Sequence, residues 1–220
     1  FGPLGFVGVW LEAEHGPFDY GDIPDFTRAC DLWGLTSVAR VNLNLPGVIY
    51  RTLDQGVQAV VVPHVDTADD AYAVVDAAKF APIGHRGNFT SRQGIGVTDY
   101  FLHANEISLV VVLIEDVIAV DNLDAILKVD HIDAFLVAPG DLAQSMGYPG
   151  GAGRSEVTAV VEESIRRINA AGRVAGTLVN SQNVDHYVAL GARFLTVNWV
   201  PWLQQATQDF ISKVGRGLHD

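Results

Sequence analysis

One stretch limits the chain more than any other: Leu109 to Gly150, LVVVLIEDVIAVDNLDAILKVDHIDAFLVAPGDLAQSMGYPG. Its first apolar run, 109–114, is rich in β-branched residues and closes on an acid, Glu115. Helical spacing follows at Val117, Val120, Leu123, Ile126 and Leu127. A second apolar run, 134–137, ends in Pro139-Gly140-Asp141. Strand, amphipathic helix, strand is a βαβ unit, and near-continuous apolar runs mark parallel strands covered on both faces. Parallel strands end on one side of their sheet, so Glu115 and Asp141, each just past its strand, are expected to face one crevice. Two carboxylates there, with no basic neighbour in sequence, repel unless a cation joins them. A hard divalent ion suits such oxygens.

The same alternation runs through the rest of the chain. Strands are expected at 6–11, 37–41, 59–65, 174–179 and 194–198, and helices at 22–33, 46–55, 68–79, 98–106, 156–171, 184–190 and 201–214. A glycine-rich irregular segment occupies 82–96 and another 147–153. Seven strands alternating with helices mean an α/β fold with a parallel sheet. Seven is one short of a (β/α)8 TIM barrel, and 220 residues is a little under the ~250 usual for one. The expectation is a single TIM-barrel domain over 1–220 whose first β-strand and helix are absent from the chain as given. An open doubly wound sheet is the alternative. No Gly-x-Gly-x-x-Gly turn follows the first strand, which speaks against dinucleotide binding.

A formal charge of −12 argues against nucleic acid or an anionic membrane as partner. The single cysteine, Cys30, excludes an intrachain disulfide and is read as a packing residue. No apolar run approaches the ~20 residues of a membrane span, and no charged leader precedes one. A soluble cytoplasmic protein is expected.

Functional groups of a barrel gather at the carboxyl ends of its strands. Those ends carry Glu14 and His15, Arg40, Pro63 and His64, Glu115 and Asp141, then Thr177 and Asn198. This set holds hard oxygen ligands, a titratable base and a fixed cation, with Thr177 a candidate substrate contact. None of the three lysines, Lys79, Lys128 and Lys213, follows a strand, and there is no Gly-x-Ser-x-Gly elbow. Imine chemistry is disfavoured and metal-assisted chemistry favoured. Plainer readings stand beside these: either acid alone could start a helix, His15 could be packed, and Arg40 could pair with Glu14. His64, beside Pro63, is read as structural, and Trp199 and Trp202 as packing. Gly84-His85-Arg86-Gly87 lacks the spacing of a phosphate loop.

From about Gly5 onward the chain resembles the HpcH/HpaI aldolases, metal-dependent class II pyruvate aldolases. The segments that carry the likeness are GFVGVWLEAEHGP, VARVN, LDQGVQAVVVPHV, KFAPIGHRG, LIED and VAPGDLAQSMGYPG. The resemblance implies a complete barrel beginning one βα unit earlier, and cleavage of a 4-hydroxy-2-oxo acid to pyruvate, or hydroxypyruvate, and an aldehyde. It implies Glu115 and Asp141 as ligands of Mg²⁺, Mn²⁺ or Co²⁺, and Arg40 at the keto oxygen. His15 matches a histidine near metal-bound water, and Asp54 an acid reaching that histidine from a neighbouring subunit. The amides of Gly140 and Asp141 match the cradle of the pyruvate carboxylate. A hexamer, a trimer of dimers, is also implied, with the last helix, 201–214, exchanged between partners. Three departures stand out: Leu113 where the family has Gln, the exchange of small residues at Ala138 and Gly140, and the bulky turn Val197-Asn198-Trp199-Val200-Pro201. A CoA-thioester lyase of the citryl- or malyl-CoA type would need a basic cluster that is not evident. A non-catalytic structural paralogue would have no use for all of Glu115, Asp141, Arg40 and His15.

Overall fold

A computed structural model describes residues 1–217. The strands are β1 (Gly8–Glu12), β2 (Thr36–Arg40), β3 (Ala59–Val62), β4 (Leu109–Ile114), β5 (Ala134–Val137), β6 (Ala175–Val179) and β7 (Phe194–Val197). The helices are α1 (Ile23–Leu32), α2 (Pro46–Asp54), α3 (Ala68–Ala78), α4 (Tyr100–Ile107), α5 (Val117–Asp121), α6 (Leu123–Ile126), α7 (Pro139–Ser145), α8 (Ser155–Ala170), α9 (Val184–Leu190) and α10 (Val200–Gly217). All seven strands pair in parallel and in sequence order, β1 to β7. This is the expected α/β alternation. The sheet curls as part of a TIM-like barrel, with β1 and β7 as its edges.

The two faces of the sheet hold separate cores. Strand neighbours share a face, and successive residues alternate between faces. Val38, Ala59, Val61, Val111, Leu113, Ala134 and Leu136 fill the concave side, joined by Trp10 of β1 and Phe194 of β7. Residues from both edge strands meet in that one cluster, which is what curling accomplishes. Gly176 of β6 makes the curl sterically feasible: a Cβ there would stand 2.5 Å from the Phe194 carbonyl oxygen. The opposite face, including Val60, Val112, Ile114, Phe135 and Val137, packs on the helices in a larger core. Cys30 is buried, as expected of a packing residue.

Three local differences from expectation bear on function. Pro63 cannot donate to the ladder, so β3 stops at Val62 rather than running to 65. The helix expected over 117–127 is two short helices meeting at Asn122. An unexpected helix, α7, begins at Pro139, the favoured first helical position for proline, and puts Asp141 in its first turn. Among the described residues no helix is long and apolar enough to cross a membrane.

Phe135 is fully buried in the helix-facing core, with the Arg173 guanidinium 5.1 Å from its ring centroid. Phe135→Ala is expected to cost about 3–5 kcal/mol of unfolding free energy, read from urea denaturation.

Candidate active site

The carboxyl ends of β1 to β5 bring one set of charged groups together. Arg40 closes β2 opposite Glu12 of β1, so both side chains stand on the concave face. Arg40 Nε donates to Glu12 Oε2 at 2.8 Å, and Arg40 Nη1 lies 2.9 Å from Glu14 Oε2. The second contact is an ion pair without hydrogen-bond geometry, since Glu14 Oε2 is buried with no hydrogen-bond partner. Trp10 Nε1 also donates to Glu12 Oε2, at 3.1 Å. The other oxygen of Glu12 accepts from the backbone N–H groups of Glu14 (2.9 Å) and His15 (3.1 Å). Burial raises the Glu12 carboxyl, but Arg40 and these backbone donors outweigh it and hold it below the usual carboxylate range. One ionised carboxylate therefore shapes both the arginine and the turn that presents His15. Gly16 completes the turn, because a Cβ there would sit 2.1 Å from the Glu12 carbonyl oxygen.

Glu115 follows β4 and is only 5% exposed. Its Oε1 accepts from the His64 backbone N–H at 2.8 Å. His64, just beyond β3, has φ +57°. Its ring lies between two acids, with Nδ1 3.4 Å from Glu115 Oε1 and Nε2 3.2 Å from Glu14 Oε1. Burial pushes the Glu115 carboxyl up, and the charges of Asp141 and Glu14 add to that, against the pull of His64. The expected pairing of Glu115 with Asp141 is thus felt electrostatically. Asp141 is exposed at the start of α7. The first α7 amide bonded along the helix is that of Leu142, to the Ala138 carbonyl, which leaves the Gly140 and Asp141 amides among the donors a helix start does not satisfy. A Cβ at Gly140 would meet nothing within 4 Å, so this point is open.

Two candidates are not brought to the crevice. Asp54 ends α2, a helix that starts near the carboxyl end of β2 and runs back toward the other end of the sheet. Its Oδ1 accepts from Arg86 Nη2 at 2.8 Å, and the Arg86 guanidinium stacks 4.6 Å from the Phe80 ring centroid. The Gly84–Gly87 segment thus serves Asp54. Thr177 is paired with Val137, on the helix-facing side of the sheet. It is fully buried, and its hydroxyl donates to the Val137 carbonyl at 3.0 Å, so Thr177 offers a substrate no surface. Conversely, His64 is not the bystander its place beside Pro63 suggests. Its position on the strand next to β4 was the available signal. Arg40 does pair with Glu14, and with Glu12 as well.

Four carboxylates, Glu12, Glu14, Glu115 and Asp141, thus share the crevice with Arg40 and His64. Among the described residues no three His, Cys, Asp or Glu side chains form a ready metal cage. Magnesium-type ions are commonly held by only one or two carboxylates, with substrate and water filling the remaining positions. The raised, buried carboxyl of Glu115 beside Asp141 fits such an ion.

A family model described as HpcH/HpaI aldolase/citrate lyase matches residues 8–199. The 2-keto-3-deoxy-L-rhamnonate aldolase of Salmonella gallinarum is 36% identical over 199 residues, covering 88% of this chain and 74% of that protein. A solved HpcH/HpaI aldolase/citrate lyase family protein from Burkholderia cenocepacia superposes with a TM-score of 0.90 at 28% identity, over 97% of this chain and 87% of that one. The citrate lyase beta subunit of M. tuberculosis, solved with oxaloacetate and magnesium, reaches 0.53 at 16% identity over 86% and 80%, a likeness of fold.

Because the folded state raises the Glu115 carboxyl, folding favours its protonated form, and the charged form costs stability above the unfolded-state value near 4.5. In chelator at pH 7, Glu115→Gln is therefore expected to melt above the unsubstituted protein. The gap should close as the pH falls to about 4.5 in a calorimetric series.

Proposed function

The chain belongs to the HpcH/HpaI aldolase/citrate lyase family and is a class II aldolase; we propose that it cleaves a 4-hydroxy-2-oxo acid to pyruvate, or hydroxypyruvate, and a short aldehyde. The observation that carries this is the buried Glu115 carboxyl, electrostatically coupled to Asp141 and linked through His64 and Glu14 to an arginine already oriented by two acids. The relatives' substrate suggests a 2-keto-3-deoxy sugar acid, which would release a small hydroxyaldehyde such as lactaldehyde.

Glu115 and Asp141 would hold a divalent cation, Mg²⁺, Mn²⁺ or Co²⁺, which when bound supplies Lewis-acid stabilisation of charge developing on the keto oxygen. Arg40 adds a second positive charge there. Its two internal contacts use Nε and Nη1, so Nη2 is left for the substrate. The Gly140 and Asp141 amides at the start of α7 receive the carboxylate. His15, with Asp54 contributed by a neighbouring copy, accepts the proton of the C4 hydroxyl by way of a water. The C3–C4 bond then breaks, C4 leaves as the aldehyde carbon, and C3 regains a proton to give the methyl group of pyruvate. Low dielectric around Glu115 and Arg40 strengthens these interactions.

Asp54 stands at the end of the sheet away from the crevice, which accords with its acting on another copy of the chain. The apolar residues Trp202, Leu203, Phe210 and Ile211 of α10 are exposed in the isolated chain, which accords with helix exchange in a hexamer, a trimer of dimers. The working enzyme would be a soluble cytoplasmic homo-oligomer on this reading.

Three experiments test the proposal. Deuterium exchange at C3 of pyruvate should require added metal but no aldehyde, and should vanish in Glu115→Ala and Asp141→Ala while circular dichroism stays unchanged; full exchange in chelated protein refutes it. Arg40→Ala should lose ~10²–10³ in kcat. Arg40→Ala and Asp54→Asn subunits, each strongly impaired alone, should regain activity when assembled together. Failure of the mixture to recover would refute the shared site.

A further inference from the structure

We infer that His64 is a positioning residue: it ties Glu115 to Glu14, and through Glu14 to Arg40, so that the cation-facing and substrate-facing halves of the crevice move as one unit. The inference rests on the function proposed above for its cation arm only.

Four observations lead to it. First, His64 makes two different contacts with one acid. Its backbone N–H donates to Glu115 Oε1 at 2.8 Å, and its ring Nδ1 lies 3.4 Å from the same oxygen. Second, the far ring nitrogen, Nε2, is 3.2 Å from Glu14 Oε1, while the other oxygen of Glu14 meets Arg40. No other side chain among the described residues forms a hydrogen bond or ion pair with both Glu14 and Glu115. Third, the ring is not there for packing, since the side chain is 61% exposed. Fourth, the backbone is held where a non-glycine residue seldom rests. Its φ of +57° points the N–H at Glu115, and such a conformation persists only where its surroundings determine it.

Those surroundings are specific. Pro63 precedes His64 and fixes its own φ. Beyond it, the Asp66 carbonyl accepts from Asn122 Nδ2 at 2.9 Å, which anchors the segment to the junction of α5 and α6. Thr67 and Asp70 then form a reciprocal capping box that starts α3. The turn between β3 and α3 is therefore clamped at both ends, with the histidine inside it. A residue that orients a ligand carboxylate in this way typically controls metal affinity by ~10–100-fold.

The test uses the assembled, full-length protein and Mn²⁺ as the probe. His64→Asn keeps a residue type that tolerates positive φ but is too short to span the two acids. His64→Gln restores a longer side chain with an amide at its end. Mn²⁺ titration followed by electron paramagnetic resonance should show about a 10-fold or greater loss of affinity in His64→Asn, with most of it regained in His64→Gln. Thermal melting should be close to that of the parent protein in both. Affinity within twofold of the parent in His64→Asn overturns the inference. A second measurement is independent of metal: the ring ¹⁵N resonances of His64, identified by their loss in His64→Asn, should move in both Glu14→Gln and Glu115→Gln. Should the parent protein bind no Mn²⁺, the cation reading fails and these resonances decide alone. Movement in both variants upholds the coupling, and its absence in either overturns it.

Discussion

Burying the carboxylate of Glu115 is the constraint on which the rest of the crevice depends. Desolvation penalises its charged form, and the neighbouring charges of Asp141 and Glu14 deepen the penalty. The fold answers with donors from elsewhere: the His64 N–H at Glu115 and the Arg40 guanidinium between Glu12 and Glu14. The result is a chain of acids interleaved with Arg40 and His64 along the rim of four adjacent strands. It remains rich in carboxylate, and this excess is what invites a cation.

The sheet makes that arrangement affordable in structural terms by keeping its polar groups at one end. Below the rim the concave face is filled by Val, Leu, Ala and aromatic side chains from every strand but β6. The helix-facing side is predominantly apolar, and the buried Thr177 hydroxyl there is satisfied by the Val137 carbonyl. The polar network therefore interrupts neither core, and its members are fixed by strand register rather than by loop conformation alone. Glu12 and Arg40 are register partners, so their pairing is settled as soon as β1 meets β2.

The opposite end of the sheet carries a separate arrangement. There Arg86, its side chain 1% exposed, grips Asp54 and stacks on Phe80. An acid held so firmly, and so far along the fold from the crevice, has a defined direction. On the proposed reading that direction is toward another copy of the chain, so the catalytic unit would be an assembly rather than one subunit. The exposed apolar face of α10 is of a piece with this.

Much of this was legible in the sequence. Alternating apolar runs and amphipathic helices specify a parallel α/β sheet because parallel strands are covered on both faces and must be joined by crossovers. Acids placed just after two such strands, Glu115 and Asp141, had to share an end of the sheet. Thr177 shows the limit. A run buried on both faces gives no alternation from which to tell inward from outward, and only the pairing of Val137 with Thr177 turned that hydroxyl toward the helices. The short helix α7 was hidden because Pro139-Gly140-Asp141 reads as a turn until its amides are seen to start a helix. His64 is the clearest case. Its place on the strand next to β4 was the only hint of nearness to Glu115, 51 residues away, and its N–H reaches that acid only through a positive φ enforced by tertiary contacts. The sequence by itself determined the strands, their order of appearance and the acids at their ends, because those follow from local pattern. Which side chains meet across strands, and which residues face the neighbouring helices instead, was decided by the tertiary structure, because register and backbone strain exist only once the sheet has formed.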